Sequence, residues 1–349
     1  MQKQNIRNIL AISTTGLGNL VLYTPVLRAL RRDFPESHIT LLVASRSAAN
    51  LMEGCKEIDE VIIINKTKKS ILNWLKIIKH IKNLKVDLVI TSFLDKSFKV
   101  ALFSWLTGAC SRVGYKNKAY GWLYSHQVPI TEKKHEIEYN LDLVRALGLT
   151  IRRANEKAPF ISTTPLEEEL ANDFLLKSHI SPKELLIGVH PGSGLSVGSA
   201  KRWSREKFAR LCDLILTIPK AKVIVFGGPE ERYAAEEMAK FMRKKPVIIA
   251  GDTDIRMTAA LIKRSVLFIS NDSGLMHLAT AVKTPVLAIF GPTLWWKNYP
   301  WGRDNVVIRK ELACSPCYNY RHIQCKTLKC LEMIKVEEAW QKVKDMLKV

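Results

Sequence analysis

Long apolar runs and acidic side chains are both scarce in this chain of 349 residues. No stretch approaches the ~18 consecutive apolar residues that a membrane-crossing helix needs, so no such helix is expected. The opening MQKQNIRNILAIS has a basic start but only a short apolar core. It reads as a first strand rather than a secretion signal, and a cytoplasmic chain is expected. Asp and Glu number 33 against 54 Lys and Arg, a formal net charge of +21. Such an excess calls for a partner of opposite sign: nucleic acid, anionic lipid or a phosphorylated substrate. Zinc-finger and RNA-binding signatures are missing, as is any arginine-rich stretch interleaved with aromatics, so no nucleic-acid partner is expected. Internal repeats and low-complexity tracts are absent too. Hydrophobic residues at 47% and charged residues at 25% describe a folded chain, and the length suits two domains.

Seven cysteines in a chain this long do not make a secreted disulfide scaffold. Four crowd together as Cys314, Cys317, Cys325 and Cys330, and the first pair has metal-ligand spacing. Four thiolates could close a structural zinc or iron site, the alternative being reduced thiols in a packed loop. Cys55, Cys110 and Cys212 read as buried small hydrophobes. From Lys66 to Lys85 there are seven lysines and no acid. Ile71, Trp74, Leu75, Ile78 and Ile81 give this stretch an apolar helical face. It suits either an anionic membrane surface or a helix packed on a sheet with its lysines in water.

The first half alternates short β-branched segments (9–13, 39–43, 61–64, 88–91) with helical spacing over 20–32, 47–53, 71–83 and 135–147. Pro25 is expected to kink the first helix. The second half repeats this logic, with strands near 185–189, 223–226, 247–250, 267–270 and 286–290. Helices fit 205–216, 230–243, 256–263 and 274–282, and the chain closes on an amphipathic segment, 336–347. Strand–helix alternation predicts parallel, doubly wound sheets. The expected fold is α/β, two Rossmann-like domains facing a cleft: 1–150, a linker over 151–184 carrying one helix, and 185–335, with 336–349 as a terminal helix.

Ligands of such sheets sit at the carboxyl ends of strands. Leu267-Phe-Ile-Ser270 runs into Asn271-Asp272-Ser273-Gly274, and His277 follows about one turn into a helix. Backbone N–H groups there would face an anion, unless Asp272 is simply an N-cap. His190-Pro-Gly-Ser193-Gly leads through small residues to Lys201-Arg202-Trp203, a loop and two cations suited to a diphosphate. Gly227-Gly228-Pro229-Glu230 offers a carboxylate for sugar hydroxyls. In the first half, Gly16 and Gly18 shape a phosphate-cradling turn before Asn19. A third Rossmann glycine and a P-loop lysine are missing, so a plain strand–helix turn fits as well.

With these residues assembled, the chain resembles glycosyltransferase family 9, the heptosyltransferases of lipopolysaccharide core assembly. The likeness rests on the N-terminal glycine loop with TPVLRALRRDFP, on HPGS with KRW, on FGGPE, and on NDSGLMH with FGPT. It implies a GT-B fold whose terminal helix crosses back to the first domain. It further implies inverting transfer without a cofactor in the chemistry and an ADP-L-glycero-D-manno-heptose donor. Donor contacts fall on Lys201, Glu230, Asp272, Ser273, Gly274 and His277, with Ser193 and Arg202 beside them. The family's usual base, an Asp after the loop glycine, is here Asn19, whose amide cannot accept a proton. Asp95, just past the strand over 88–91, is the substitute candidate, with a helix N-cap as its other reading.

Two functions are therefore expected. The first is heptosyl transfer, from the inner face of the cytoplasmic membrane, onto an anionic glycolipid of the lipopolysaccharide core, or onto a protein or another glycan. The second is sugar-nucleotide binding without catalysis, the base having been lost at Asn19.

Overall fold

The structure, a computed structural model, describes residues 6–64, 71–194, 198–318, 325 and 327–349, without the side chains of 71–75, 198 and 199. The chain divides into two compact units, Met1–Phe160 and Ile161–Val349.

The first unit runs β1 (Asn8–Ser13), α1 (Leu17–Asp33), β2 (His38–Val43), α2 (Arg46–Leu51), β3 (Glu60–Ile63), α3 (Ile71–Asn83), β4 (Leu88–Thr91), α4 (Phe98–Leu106), β5 (Ser111–Tyr115), β6 (His126–Val128) and α5 (Glu136–Arg145). Its six strands form one sheet in the order β3-β2-β1-β4-β5-β6, and every pairing is parallel. Residues 9–13 and 88–91 are buried throughout, as central parallel strands covered on both faces must be. Helix α1 runs through Pro25, where a kink was expected. Proline has no N–H for the Val21 carbonyl, and the Thr24 hydroxyl donates to that oxygen instead, at 2.7 Å.

Helices α3 and α4 share one face of this sheet. Ile77, Ile78 and Ile81 of α3, with Val100 and Phe103 of α4, pack on Leu10, Ile12, Leu42 and Val89. The apolar stripe of α3 therefore belongs to the core, and Lys76, Lys79, Lys82 and Lys85 are exposed. Of the two expectations for this basic stretch, packing on a sheet describes it. Lys66, Lys68, Lys69 and the side chain of Trp74 lie outside the described residues.

The second unit runs α6 (Pro165–Lys177), β7 (Leu185–His190), α7 (Arg205–Ile215), β8 (Ala221–Val225), α8 (Arg232–Lys240), β9 (Val247–Ile248), α9 (Ile255–Arg264), β10 (Leu267–Asn271), α10 (Gly274–Ala281), β11 (Val286–Ile289), α11 (Trp295–Asn298), β12 (Val306–Ile308), α12 (Lys329–Glu332) and α13 (Val336–Leu347). Its parallel sheet has the order β12-β11-β10-β7-β8-β9. Both sheets thus carry the 3-2-1-4-5-6 order, whose direction reverses between the first and fourth strands. These switch points are β1/β4 and β7/β10.

Two boundaries differ from expectation. The segment expected as a linker, 151–184, is split: 151–160 belongs to the first unit and the rest to the second. Helix α6 is fastened there by a two-toothed ion pair, Arg256 Nε and Nη2 each 2.7 Å from a Glu167 oxygen. The terminal helix α13, expected to cross back to the first domain, is part of the second unit. Its Val336, Ala339 and Val343 share a core with Phe208, Leu211 and Ile215 of α7. Strands β5, β6 and β12 escaped the sequence reading, because SRVGY is interrupted by arginine and glycine and the other two are three residues long.

Trp203 ties these pieces together. It is fully buried, meets Phe208 edge to face with centroids 5.1 Å apart, and donates from Nε1 to the Ile334 carbonyl at 3.1 Å. Replacing Trp203 with Ala should cost about 3–5 kcal/mol in urea unfolding of the intact chain. A loss under about 1 kcal/mol would contradict this packing.

Candidate functional site

The loops leaving β7, β8 and β10 meet on a buried carboxylate. Glu231, at the end of a short turn over Pro229–Glu231, accepts from the backbone N–H of Gly194 and of Gly228, each at 3.1 Å. It also lies 2.9 Å from Nε2 of His190, the last residue of β7. The other ring nitrogen of His190 is 3.0 Å from Ser273 Oγ. That hydroxyl caps α10 by accepting from Met276 N at 3.3 Å. Burial alone would raise the Glu231 pKa. The hydrogen bond and charge of His190, with the two N–H donors, outweigh it and hold the carboxyl well below its usual range. Gly192 closes over this pair, and a Cβ there would fall 1.9 Å from Glu231 Oε1.

Asn271 fastens the neighbouring segment. Its amide donates to the Pro191 and Gly192 carbonyls at 2.8 and 3.2 Å and accepts from Trp203 N at 3.0 Å. This bond places the end of the 3₁₀ turn Gly198–Lys201 beside β10. Lys201 Nζ then lies 3.2 Å from Asp272 Oδ2. Since Ser273 is the N-cap of α10, Asp272 is not, and its carboxylate serves the lysine.

Behind this pair, His277 is 5% exposed and its Nδ1 has no hydrogen-bond partner. Burial lowers its pKa to about 4; Asp272 opposes the shift, and the charges of Lys201 and Lys297 add to it. The ring is therefore neutral at neutral pH. Thr293, on the loop after β11, also buries a hydroxyl without a partner. Lys297, in α11, is 2% exposed. A helix N-terminus, two lysines, and imidazole and hydroxyl groups without a hydrogen-bond partner are the chemistry that suits a polyanion. Arg202 Nε donates to Ser193 Oγ at 3.3 Å, which adds a third cation to the loop. Glu230 is exposed and folds over Gly228.

In the first unit, Gly16 is the N-cap of α1 and makes no side-chain cap. Gly18 is buried, and Asn19 is half-buried in the first turn. Asp95 is buried and accepts from Thr14 N at 2.9 Å, from the Thr14 hydroxyl, and from Ser92 Oγ at 2.6 Å. It joins the tips of β1 and β4 at their switch point. The N-cap of α4 is Ser97, so the capping alternative for Asp95 does not hold.

The expected zinc or iron site finds no support. Cys314, Cys317 and Cys325 are exposed and Cys330 is buried in the core beside Leu331. Among the described residues no three His, Cys, Asp or Glu side chains form a group fit to hold a metal. Residues 319–324 and 326 of this loop lie outside the description. Of the other thiols, Cys212 is buried as expected, Cys55 is half-buried and Cys110 is exposed.

Sequence reasoning assigned no role to His190, Glu231, Asn271 or Lys297. A histidine ending one strand beside a carboxylate at the tip of the next was the available signal for the first two. Nothing in the spacing marks Lys297.

Comparison with known proteins follows the same lines. The family model described as Glycosyltransferase family 9 (heptosyltransferase) matches residues 74–328. Lipooligosaccharide heptosyltransferase 2 of Campylobacter jejuni is 27% identical over 343 residues, 96% of each chain. Among solved structures, a glycosyl transferase family 9 protein from Veillonella parvula aligns over 98% of this chain and 97% of its own, with a TM-score of 0.81 and 24% identity. The ADP-heptose lipopolysaccharide heptosyltransferase II of Escherichia coli aligns over 97% and 98%, with a TM-score of 0.76 and 21% identity. The two doubly wound sheets are those of the GT-B fold.

The buried Glu231 makes a pH prediction. Its folded pKa lies below the ordinary ~4.3 of Glu, so its contribution is present above that value and drains away as pH falls toward the folded one. The stability gap between wild type and Glu231→Gln should be widest near neutrality and narrow below about pH 4. Urea midpoints measured across this range check it, and a gap that stays constant down to about pH 3 would refute it.

Proposed function

The chain belongs to glycosyltransferase family 9, and we propose that it moves heptose from an ADP-L-glycero-D-manno-heptose donor onto a glycolipid of the lipopolysaccharide core. The observation that carries this reading is the Lys201–Asp272 pair at the N-terminus of α10, with the neutral, unpartnered His277 behind it. In an inverting displacement the acceptor oxygen bonds to the anomeric carbon from the face opposite the diphosphate. The carbon–oxygen bond to the diphosphate breaks, and ADP departs with the electron pair. Lys201, Arg202, Lys297 and the N–H groups of Ser273 and Gly274 would stabilise the charge gathering on that leaving group. His277 and Thr293 would give their free polar atoms to the donor, Ser193 would line the loop, and Glu230 would accept from sugar hydroxyls. No step requires a metal.

On the acceptor side, Gly16 and Gly18 would bring backbone close to the acceptor, and Asn19 would orient its hydroxyl. Asp95 is the proposed proton acceptor. A carboxylate has roughly four lone-pair sites, and three receive hydrogen bonds from Thr14 and Ser92. Asn19 in place of an acid also supports the second reading, a sugar-nucleotide binder that does not turn over.

Transfer of labelled heptose from ADP-heptose to a heptose-deficient lipopolysaccharide decides between them. We expect ADP release matched by labelled product, and Lys201→Ala should lower kcat/KM about a hundredfold. Binding of ADP-heptose without ADP release would leave only the non-catalytic reading. Asp95→Asn should lower kcat at least about a hundredfold while leaving ADP binding at the wild-type level. Activity that merely follows the folded fraction of this variant would leave Asp95 as a structural tie alone.

A further inference from the structure

Nearly half of the net charge lies in one stretch of the first unit. Between Val61 and Thr131 there are eleven lysines and one arginine against only Asp87 and Asp95, and from Lys96 to Thr131 there is no acid. Both acids are engaged within the fold: half-buried Asp87 accepts from Arg7 N and Asn8 N, and buried Asp95 joins the strand tips.

Within the same stretch a group of aromatic side chains faces outward. Phe98, Leu102 and Trp105 follow one another at i, i+4 and i+7 on α4, hence on one helix face. Phe98 is 53% exposed and Trp105 48%. A turn over Gly121–Leu123 packs beside them through Leu123, Tyr124 and Ala101, with Leu102 and Tyr120 against that cluster. The Phe98 and Tyr120 rings meet with centroids 6.3 Å apart, and Trp122 projects from the turn, 67% exposed. The turn is held firmly. Arg112 Nε donates to the Leu123 carbonyl at 2.8 Å, and the Tyr124 ring lies so close over Gly114 that a Cβ there would fall 2.4 Å from it. Exposed Lys99, Lys116 and Lys118 lie on these same elements or beside them, and the exposed lysines of α3 lie on the same side of the sheet.

We propose that this aromatic and lysine face, centred on Trp105 and Trp122, is the surface by which the chain rests on an anionic lipid bilayer. Tryptophan and tyrosine favour the headgroup level of a membrane, and lysines extend their ammonium groups toward anionic headgroups over apolar stems. Charge complementarity selects this occupant over a second copy, since two chains of +21 would bring like charge together at the face. The surface deepens the transfer reading, because an acceptor anchored in an anionic leaflet would be met there.

Flotation of the full chain with vesicles tests it, with neither donor nor acceptor present. We expect binding to phosphatidylcholine vesicles containing one third phosphatidylglycerol and little to phosphatidylcholine alone. Trp105→Ser with Trp122→Ser should weaken the partition about tenfold or more, as should Lys99→Glu with Lys118→Glu. Both double variants should keep wild-type ADP binding and wild-type turnover of detergent-dispersed acceptor. Equal binding to both vesicles, or unchanged binding by the variants, would overturn the proposal. So would a wild-type dimer in sedimentation that Trp122→Ser dissolves, because the face would then belong to a second copy. Failure of turnover with vesicle binding intact would count against the transfer reading and not against this surface.

Discussion

One buried negative charge holds the second unit's loops in place. Glu231 gathers Gly194, Gly228 and His190, and through His190 it reaches the hydroxyl that caps α10. An unpaired carboxylate at this depth would be costly, and removing one partner of such a set usually costs about 3–5 kcal/mol. Fully partnered, the charge costs little and gains definition: the loops after β7 and β8 share one acceptor, the β10 loop is tied to it through His190, and none can drift independently. Lys201, Asp272 and His277 are therefore presented in a fixed arrangement before any ligand arrives. Such preorganisation gives fixed dipoles and cations their catalytic value.

The same plan is used twice. Each unit has its switch point between its first and fourth strands, and at each an acidic side chain binds neighbouring tips together. In the first unit Asp95 links β1 to β4 through Thr14 and Ser92. In the second, Glu231 links β7 to β8 and, by way of His190, to β10. The units differ in what surrounds the tie. The second offers lysines and a capped helix N-terminus, while the first offers a glycine turn and an amide, Asn19. The proposed polyanion binding suits the second set of surroundings and the proposed acceptor positioning the first.

Much of this was legible in the residues. Runs such as LLIGVH and LFISN are apolar and β-branched because both faces of a central parallel strand are covered, and that pattern is read directly. The motif NDSG announced a strand tip, and Lys201 with Asp272 proved to be partners. Hidden features were those set by tertiary contact. Glu230 and Glu231 look interchangeable in sequence, yet one is exposed and the other is buried against His190. The lysine-rich helix α3 is plainly amphipathic, yet its stripe is spent on the sheet. The exposed aromatics of α4 recur at helical spacing, but Trp122 joins them from a turn, and no spacing marks that. The cysteine spacing admitted either a metal or packed thiols, and spacing says nothing of Cys330 being turned into the core.

If the second unit binds a polyanion as proposed, the Glu231 tie is what preorganises the site. Calorimetric titration of ADP into wild type and Glu231→Gln at neutral pH tests it most directly, with folding of both verified by circular dichroism. The account predicts ADP affinity at least about tenfold weaker in the folded variant, equivalent to a loss of roughly 1.4 kcal/mol. Wild-type affinity in a folded Glu231→Gln protein would contradict it.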